Sequence, residues 1–277
     1  MDRYAVFGHP VAHSLSPRIH GCFAAQTGEV LSYEAIEAPL DGFREAVLRF
    51  LADGGRGCNV TLPFKGEAVA FADHPDPRAA RAGAANTLRR EADGRLSAYN
   101  TDGPGLVADL VHGHRLALAD LRVVLLGAGG AAAGVIEALL DAGVGELIVA
   151  NRTHERALAL RARFATLDAA HRLRAVPLDA LPAADLLVNA TSASLAGQVP
   201  VLPDRVVVPG TFAYDMMYAD VATPFLAWCT TRGAGRTADG LGMLVEQAAE
   251  AFLIWRGVRP DTAAVRDLLR PLRTESS

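Results

Sequence analysis

Residues 122–130 read RVVLLGAGG, a short β-rich run that passes straight into glycine, and no other stretch limits the available folds as much. Arg122 to Leu126 carries the branched and leucine side chains of a buried strand, and a helical run continues through Val135 to Ala142. The intervening GAGGAAAG puts Gly127, Gly129 and Gly130 where the chain must turn tightly from strand to helix and where a ligand must come close to backbone. A second β run, Leu147 to Ala150, starts about twenty residues later and completes a βαβ half. Glycines alone would do no more than tighten a turn. In this order they predict a helix N-terminus facing a pyrophosphate, with Gly127, Ala128, Gly129, Gly130 and Ala131 around it.

The end of the second strand selects the dinucleotide. An NAD site places Asp or Glu there for the ribose hydroxyls, whereas this chain reads Asn151, Arg152 and Thr153, followed by Arg156. Arg152 offers a guanidinium fork, Thr153 a hydroxyl and Arg156 a second charge one turn on, a set that suits a 2'-phosphate and predicts NADP(H). In isolation the arginines would read as solvated residues at a helix start. A further strand, Asp185 to Ala190, runs into NATS, where Asn189 and Thr191 either line the nicotinamide side or cap the next turn.

At 277 residues and 51% hydrophobic composition, the chain is long enough for two cores. The N-terminal part alternates strands, at Arg3 to Phe7, Gly57 to Thr61, Ala84 to Leu88 and Leu96 to Asn100, with helices from near Pro17, over Gly42 to Leu51 and around Glu67 to Ala72. One helix from Pro104 to about Leu118, interrupted by Gly113, marks the boundary. The expected fold is α/β in two domains. Residues 1–103 form a substrate-binding and catalytic domain, 104–239 a Rossmann-like NADP-binding domain, and 240–277 helices that return to the first. A net charge of -4 argues against a nucleic-acid partner. No apolar run approaches the ~18 residues of a membrane span. Cys22, Cys58 and Cys229 have neither CxxC spacing nor the density of a disulfide framework, and no metal site is expected. These features point to a cytoplasmic protein with no membrane partner.

A cofactor of this kind moves a hydride, and a hydride alone leaves charge on oxygen, so the first domain must supply a proton donor. NVTLPFKG, Asn59 to Gly66, carries Lys65 after Pro63 at the start of a predicted helix, in a chain where arginine greatly outnumbers lysine. A helix N-terminus eases proton release from an ammonium. Most such lysines are merely solvated, but Asp102 in NTDG and Asn86 near the end of its strand favour a chemical role. The carboxylate can hold the ammonium, and the amide can bind a hydroxyl without adding charge. Asp102 also suits the N-cap of the Pro104 helix, and the two roles are compatible.

Five separated motifs, GHPVAHSLSP, NVTLPFK, NTDG, GAGGAAAG with NRT, and ADGLGMLVEQ, occur in an order and spacing that resembles the shikimate dehydrogenase family over essentially the whole chain. The resemblance implies an oxidoreductase that reduces 3-dehydroshikimate to shikimate with NADPH, in aromatic amino acid biosynthesis, in a cleft between the domains. It implies that Ser14 and Ser16 hold the substrate carboxylate, that Lys65 and Asp102 are the acid–base pair, and that Thr61 and Asn86 complete the cradle. Tyr218 and Gln247 would reach the substrate from the other side, with Gly240 near the nicotinamide and Met216 and Met243 among the candidates for its apolar surroundings. The residues themselves leave simpler roles open. Ser16 before Pro17 suits an N-cap, Gln247 lies on a predicted helix from Gly242 to Trp255 where an exposed glutamine is ordinary, and Tyr218 suits packing.

Some positions depart from the family pattern. Ala133 stands where a basic residue is common, Ala193 and Ser194 where a glycine is often found, and Ala85 where valine is frequent. None removes a reactive group, and the first weakens the case for strict NADP preference. A dual quinate and shikimate dehydrogenase would share almost every motif, but Ser14, Ser16 and NRT favour the shikimate-specific, NADP-linked form. A methylenetetrahydrofolate dehydrogenase relative fits the substrate motifs less well. A shikimate binder without turnover predicts losses at Lys65 or Asp102, and both are present. Oligomeric state stays open, a homodimer among the alternatives.

Overall fold

The computed structural model describes residues 1–269; residues 270–277, the end of the predicted C-terminal segment, lie outside the described residues. The chain divides into two compact units, one made of Met1–Gly105 and Leu244–Asp267, the other built on Leu106–Met243. The first holds β1 (Asp2–Gly8), α1 (Ser16–Thr27), β2 (Leu31–Glu37), α2 (Phe43–Ala52), β3 (Gly55–Val60), α3 (Lys65–Phe71), β4 (His74–Pro75), α4 (Pro77–Ala82), β5 (Thr87–Arg90) and β6 (Leu96–Tyr99), and α5 (Asp102–Ala108) begins in it. Its strands lie in the order β2-β1-β3-β5-β6-β4. β1 is parallel to β2 and β3, whereas β5 is antiparallel to β3 and β6. Asn59 faces Thr87, and Thr87 faces Tyr99. That register puts the C-terminal ends of β3 and β6 and the N-terminal end of β5 on one edge.

Two local expectations change here. The strand expected at Ala84 to Leu88 starts only at Thr87, because the Ala84 and Ala85 N–H groups are already committed to Ala79 O and Lys65 O; Asn86 therefore precedes its strand. α3 starts at Lys65, ahead of Glu67, because the buried Phe64 stacks on Phe43 at 4.7 Å within a cluster that includes Phe7 and Phe50. Truncating a core aromatic of this kind costs about 3–5 kcal/mol, so Lys65 rides on firmly anchored backbone.

The expected single helix from Pro104 to Leu118 is shorter: α5 widens into a π-helical turn over Asp109–Gly113 and stops at Gly113. The second unit continues with β7 (Arg122–Leu126), α6 (Gly130–Asp141), β8 (Glu146–Ala150), α7 (His154–Arg163), β9 (Leu173–Ala175), β10 (Leu186–Asn189), β11 (Phe212–Asp215), α8 (Pro224–Thr231) and β12 (Arg236–Asp239). Its sheet is parallel throughout, in the order β12-β11-β10-β7-β8-β9. This is the doubly wound arrangement, with strand order reversing between β7 and β10. Leu126 aligns with Ala150 and Asn189, Asn189 with Asp215, and Asp215 with Asp239, so these strands end along one carboxyl edge.

The last elements among the described residues are α9 (Leu241–Arg256) and α10 (Thr262–Leu269). From Leu244 onward α9 belongs to the first unit. There Trp255 stacks on Tyr4 at 4.6 Å and donates to Leu88 O at 3.0 Å, Phe252 packs edge-on to Phe23, and Arg256 pairs with Asp2 and Glu29.

Candidate active site

Lys65 is the only lysine in the chain. Its Nζ lies 2.5 Å from Asp102 Oδ2, with the two side chains 15% and 6% exposed. Asp102 opens α5, and its N–H donates to Asn100 Oδ1 at 3.1 Å. Asp102 is the first residue of α5 and its own N–H is the group capped by Asn100, so its carboxylate does not serve as the N-cap and is bonded to side chains instead. Asn86 donates through Nδ2 to the second carboxylate oxygen, Asp102 Oδ1, at 2.9 Å, to Thr101 Oγ1 at 2.8 Å and to Gln247 Oε1 at 3.1 Å. Its Oδ1 accepts the Thr101 N–H at 2.8 Å. With both oxygens engaged, the carboxylate cannot turn away from the ammonium.

Asn86 is itself held from behind. Asn59 Nδ2 donates to Asn86 O at 3.1 Å and Thr87 Oγ1 at 3.0 Å, while Asn59 Oδ1 accepts the Tyr33 hydroxyl at 2.7 Å. Gln247, far from an unremarkable exposed side chain, is half-buried and donates to Leu244 O at 2.8 Å while accepting from Asn86. Ser14 Oγ accepts the Ser16 N–H at 3.2 Å. Leu15 occupies the N-cap of α1, so the buried Ser16 is inside the helix and the capping alternative fails for it. Thr61 N–H donates to Phe7 O at 2.8 Å, which sets the loop after β3 beside the loop after β1 that carries the serines. Lys65, Asp102, Asn86, Thr101 and Gln247 therefore form one network, with Ser14 and Thr61 on loops that leave the same edge of the sheet and Ser16 in the first turn of α1.

The second unit carries a different kind of edge. Gly127 has φ +113, and a side chain there would meet Ala190 O at 3.2 Å and Thr191 Cγ2 at 3.3 Å, across the β7/β10 reversal. At Gly129, the N-cap of α6, an added Cβ would meet nothing within 4 Å. Internal packing does not require glycine at that point; close approach of a phosphate to the helix N-terminus would. Ala128 and Ala131 are half-buried beside this space and Gly130 is exposed. Asn151 Nδ2 donates to Thr153 O at 2.9 Å and shapes the turn after β8. Arg152, Thr153 and Arg156 are exposed, and neither arginine is held by a carboxylate among the described residues. Ala133 is buried in α6. These residues fit a dinucleotide bearing a 2'-phosphate.

Farther along the edge, Asn189 Oδ1 accepts the Thr191 N–H at 3.1 Å and the Thr191 hydroxyl at 2.7 Å. Asn189 thus caps the turn, and Thr191 is the residue beside Gly127. Met216 N–H donates to Asn189 O at 2.9 Å and Gly240 N–H to Met217 O at 3.0 Å. Met243 is buried, and Tyr218 is half-buried in the loop after β11. The sequence alone does not single out Tyr33, Asn59, Asn100, Thr101 and Asp215, which the structure places in hydrogen bonds behind these groups. Polar residues closing short apolar runs, in NVT, NTD and FAYD, were the available signal.

Comparison with known proteins covers the same ground. The family model described as shikimate dehydrogenase substrate binding domain matches residues 6–88, that of shikimate/quinate 5-dehydrogenase residues 109–224, and that of the shikimate 5'-dehydrogenase C-terminal domain residues 240–270. The chain is 54% identical over 271 residues to the shikimate dehydrogenase (NADP(+)) of Alkalilimnicola ehrlichii, covering 98% of this chain and 99% of that one. Among solved structures, the Ael1 enzyme of Pseudomonas putida matches with a TM-score of 0.90 at 49% identity, over 97% of this chain and 98% of that one. The shikimate 5-dehydrogenase of Thermus thermophilus, solved in complex with NADP(H) and shikimate, matches with a TM-score of 0.85 at 39% identity, over 98% and 99% of the two chains. Likeness at this level, over the whole length and in sequence as well as fold, makes the chain a member of the shikimate dehydrogenase family.

Proposed function

We infer that the protein catalyses the reversible, NADPH-dependent reduction of 3-dehydroshikimate to shikimate, a step of aromatic amino acid biosynthesis. The observation that carries this reading is the sole lysine of the chain, held 2.5 Å from a buried carboxylate whose other oxygen is bonded to Asn86. NADPH, when bound, supplies the hydride that reaches the carbonyl carbon. Lys65, as an ammonium, gives its proton to the carbonyl oxygen as charge develops there and regains one from water; shikimate oxidation reverses both transfers. Asp102 aims the ammonium, and Asn86 fixes Asp102.

The Ser14 and Ser16 hydroxyls donate to the substrate carboxylate without forming an ion pair, and Thr61, Asn86, Gln247 and Tyr218 are assigned to the rest of the substrate. Gly127, Ala128, Gly129, Gly130 and Ala131 would hold the pyrophosphate at the α6 N-terminus. Arg152, Thr153 and Arg156 would hold the 2'-phosphate in a turn shaped by Asn151, with Thr191, Met216, Gly240 and Met243 at the nicotinamide half.

The test follows the absorbance of reduced nicotinamide with shikimate or quinate and with NADP+ or NAD+. Shikimate with NADP+ is expected to exceed each other pairing by about 100-fold in kcat/KM. Comparable rates with quinate or NAD+ would move the protein to dual specificity, and silence in all four would remove the catalytic reading.

A further inference from the structure

Asp215 ends β11 and has no exposed surface, yet its carboxylate touches no cation among the described residues. It is surrounded by donors instead. Oδ1 accepts from Asn189 Nδ2 at 3.0 Å and from the Met217 N–H at 3.1 Å; Oδ2 accepts from Ser194 Oγ at 2.8 Å and from Thr223 Oγ1 at 2.6 Å. Burial pushes its pKa up, and the four donors work against that shift. The donors come from the end of β10, the loop after β10, the loop after β11 and the N-cap of α8. One carboxylate therefore ties together the segments that leave the sheet beyond the β7/β10 reversal. Through Asn189 the tie reaches Thr191, whose methyl lies against Gly127.

In a doubly wound sheet each half takes one mononucleotide, and the ligand crosses the reversal point. The β7, β8 and β9 half carries Arg152 and Arg156, which suit the adenosine 2'-phosphate; the half that Asp215 organises is left for the nicotinamide mononucleotide. We propose that Asp215 is the positioning residue of the nicotinamide half of the cofactor site, and that Ser194 tightens its hold on the loop after β10. This rests on the dinucleotide reading of the second unit. Neither alanine nor glycine at position 194 could supply the 2.8 Å bond that Ser194 gives to Oδ2.

The experiment compares binding of whole NADP+ and of adenosine 2',5'-bisphosphate, which lacks the nicotinamide half, by calorimetry. Parent, Asp215→Asn, Ser194→Ala and Ser194→Gly proteins are used, each checked for cooperative thermal unfolding. Asp215→Asn turns one acceptor oxygen into an NH2 that faces donors, and should weaken NADP+ by about tenfold or more, while loss of the single serine bond should weaken it about threefold. The bisphosphate should bind all variants within about twofold of parent, since charge-assisted contacts to its phosphates are untouched. In kinetics the KM for NADPH should rise while that for shikimate stays. Equal loss of both ligands would make Asp215 a general structural residue, and unchanged NADP+ affinity in the folded variants would remove its role; either overturns the proposal. Failure of the bisphosphate to bind the parent would instead overturn the cofactor reading itself. If Asp215→Asn does not fold, the two Ser194 variants decide.

Discussion

The polar edge of the first sheet and the carboxyl edge of the second are built on opposite plans. At the first, Lys65, Asp102 and Asn86 are bonded to one another inside the protein, with Asn59 and Gln247 behind them. At the second, open space stands over Gly129, and Arg152 and Arg156 lie exposed with no carboxylate partner among the described residues. Proton transfer demands a donor already aimed, because reorganising dipoles during the reaction costs rate. A charged cofactor that must leave after each turnover is better met by solvated charges, which form bonds only when it arrives. On the function proposed above, the groups fixed by hydrogen bonds are those assigned to proton transfer and the solvated ones those assigned to the cofactor.

The largest expected effect would break that contrast if it failed. Lys65→Ala should lower kcat by about 100-fold or more while NADP+ affinity stays within about twofold, because the missing group acts in the transition state. Steady-state rates with a cofactor titration measure both, and turnover within a few-fold of parent would take Lys65 out of the proton role. Since the chain has one lysine, isotope-labelled lysine gives a single side-chain signal, and Asp102→Asn should shift it.

Next in size is Arg152→Ala. It should raise the KM for NADPH by about tenfold, the worth of a charge-assisted bond, with kcat and the KM for shikimate nearly unchanged. An equal rise in both KM values would show that the two edges do not divide the work as described.

A third test uses pH. His20 is fully buried, stacked on Tyr33 at 4.2 Å, and burial pushes its pKa down to about 3. The unfolded chain protonates this ring near pH ~6.5 and the folded chain only near the lower value, so between them the unfolded state binds more protons. Stability should fall as pH drops through that window, by about 1.4 kcal/mol per pH unit from this group, and His20→Phe should remove that slope in urea unfolding. An unchanged slope would place the acid sensitivity elsewhere. The smallest effect belongs to salt. Raising ionic strength to about 0.3 M should increase the KM for NADPH by two- to threefold while barely moving that for shikimate, because screening weakens exposed charges most.

Much of the second unit was legible because its signals are local. A strand, a glycine turn and a helix lie within one short stretch, and the absence of a carboxylate after β8 is visible residue by residue. The strands that escaped notice were mostly edge strands: β2 and β4 close one sheet, β9 and β12 the other. An edge strand meets solvent along one side and needs no clean apolar pattern, as the largely exposed EAIE of β2 illustrates. β11 is interior but only four residues long.

By themselves, then, the residues determined the α/β class, the glycine turn, the basic end of β8 and the isolation of Lys65 as the single lysine at a helix start, all readable along the chain. Only the tertiary structure decided that Lys65 would meet Asp102 across 37 positions, that Asn86 would bond Gln247 across 161, and that Asp215 would gather its four donors. Such pairings depend on strand register and on the antiparallel entry of β5. A shift of one residue in a strand turns each side chain to the other face, and no local run of amino acids specifies its register alone.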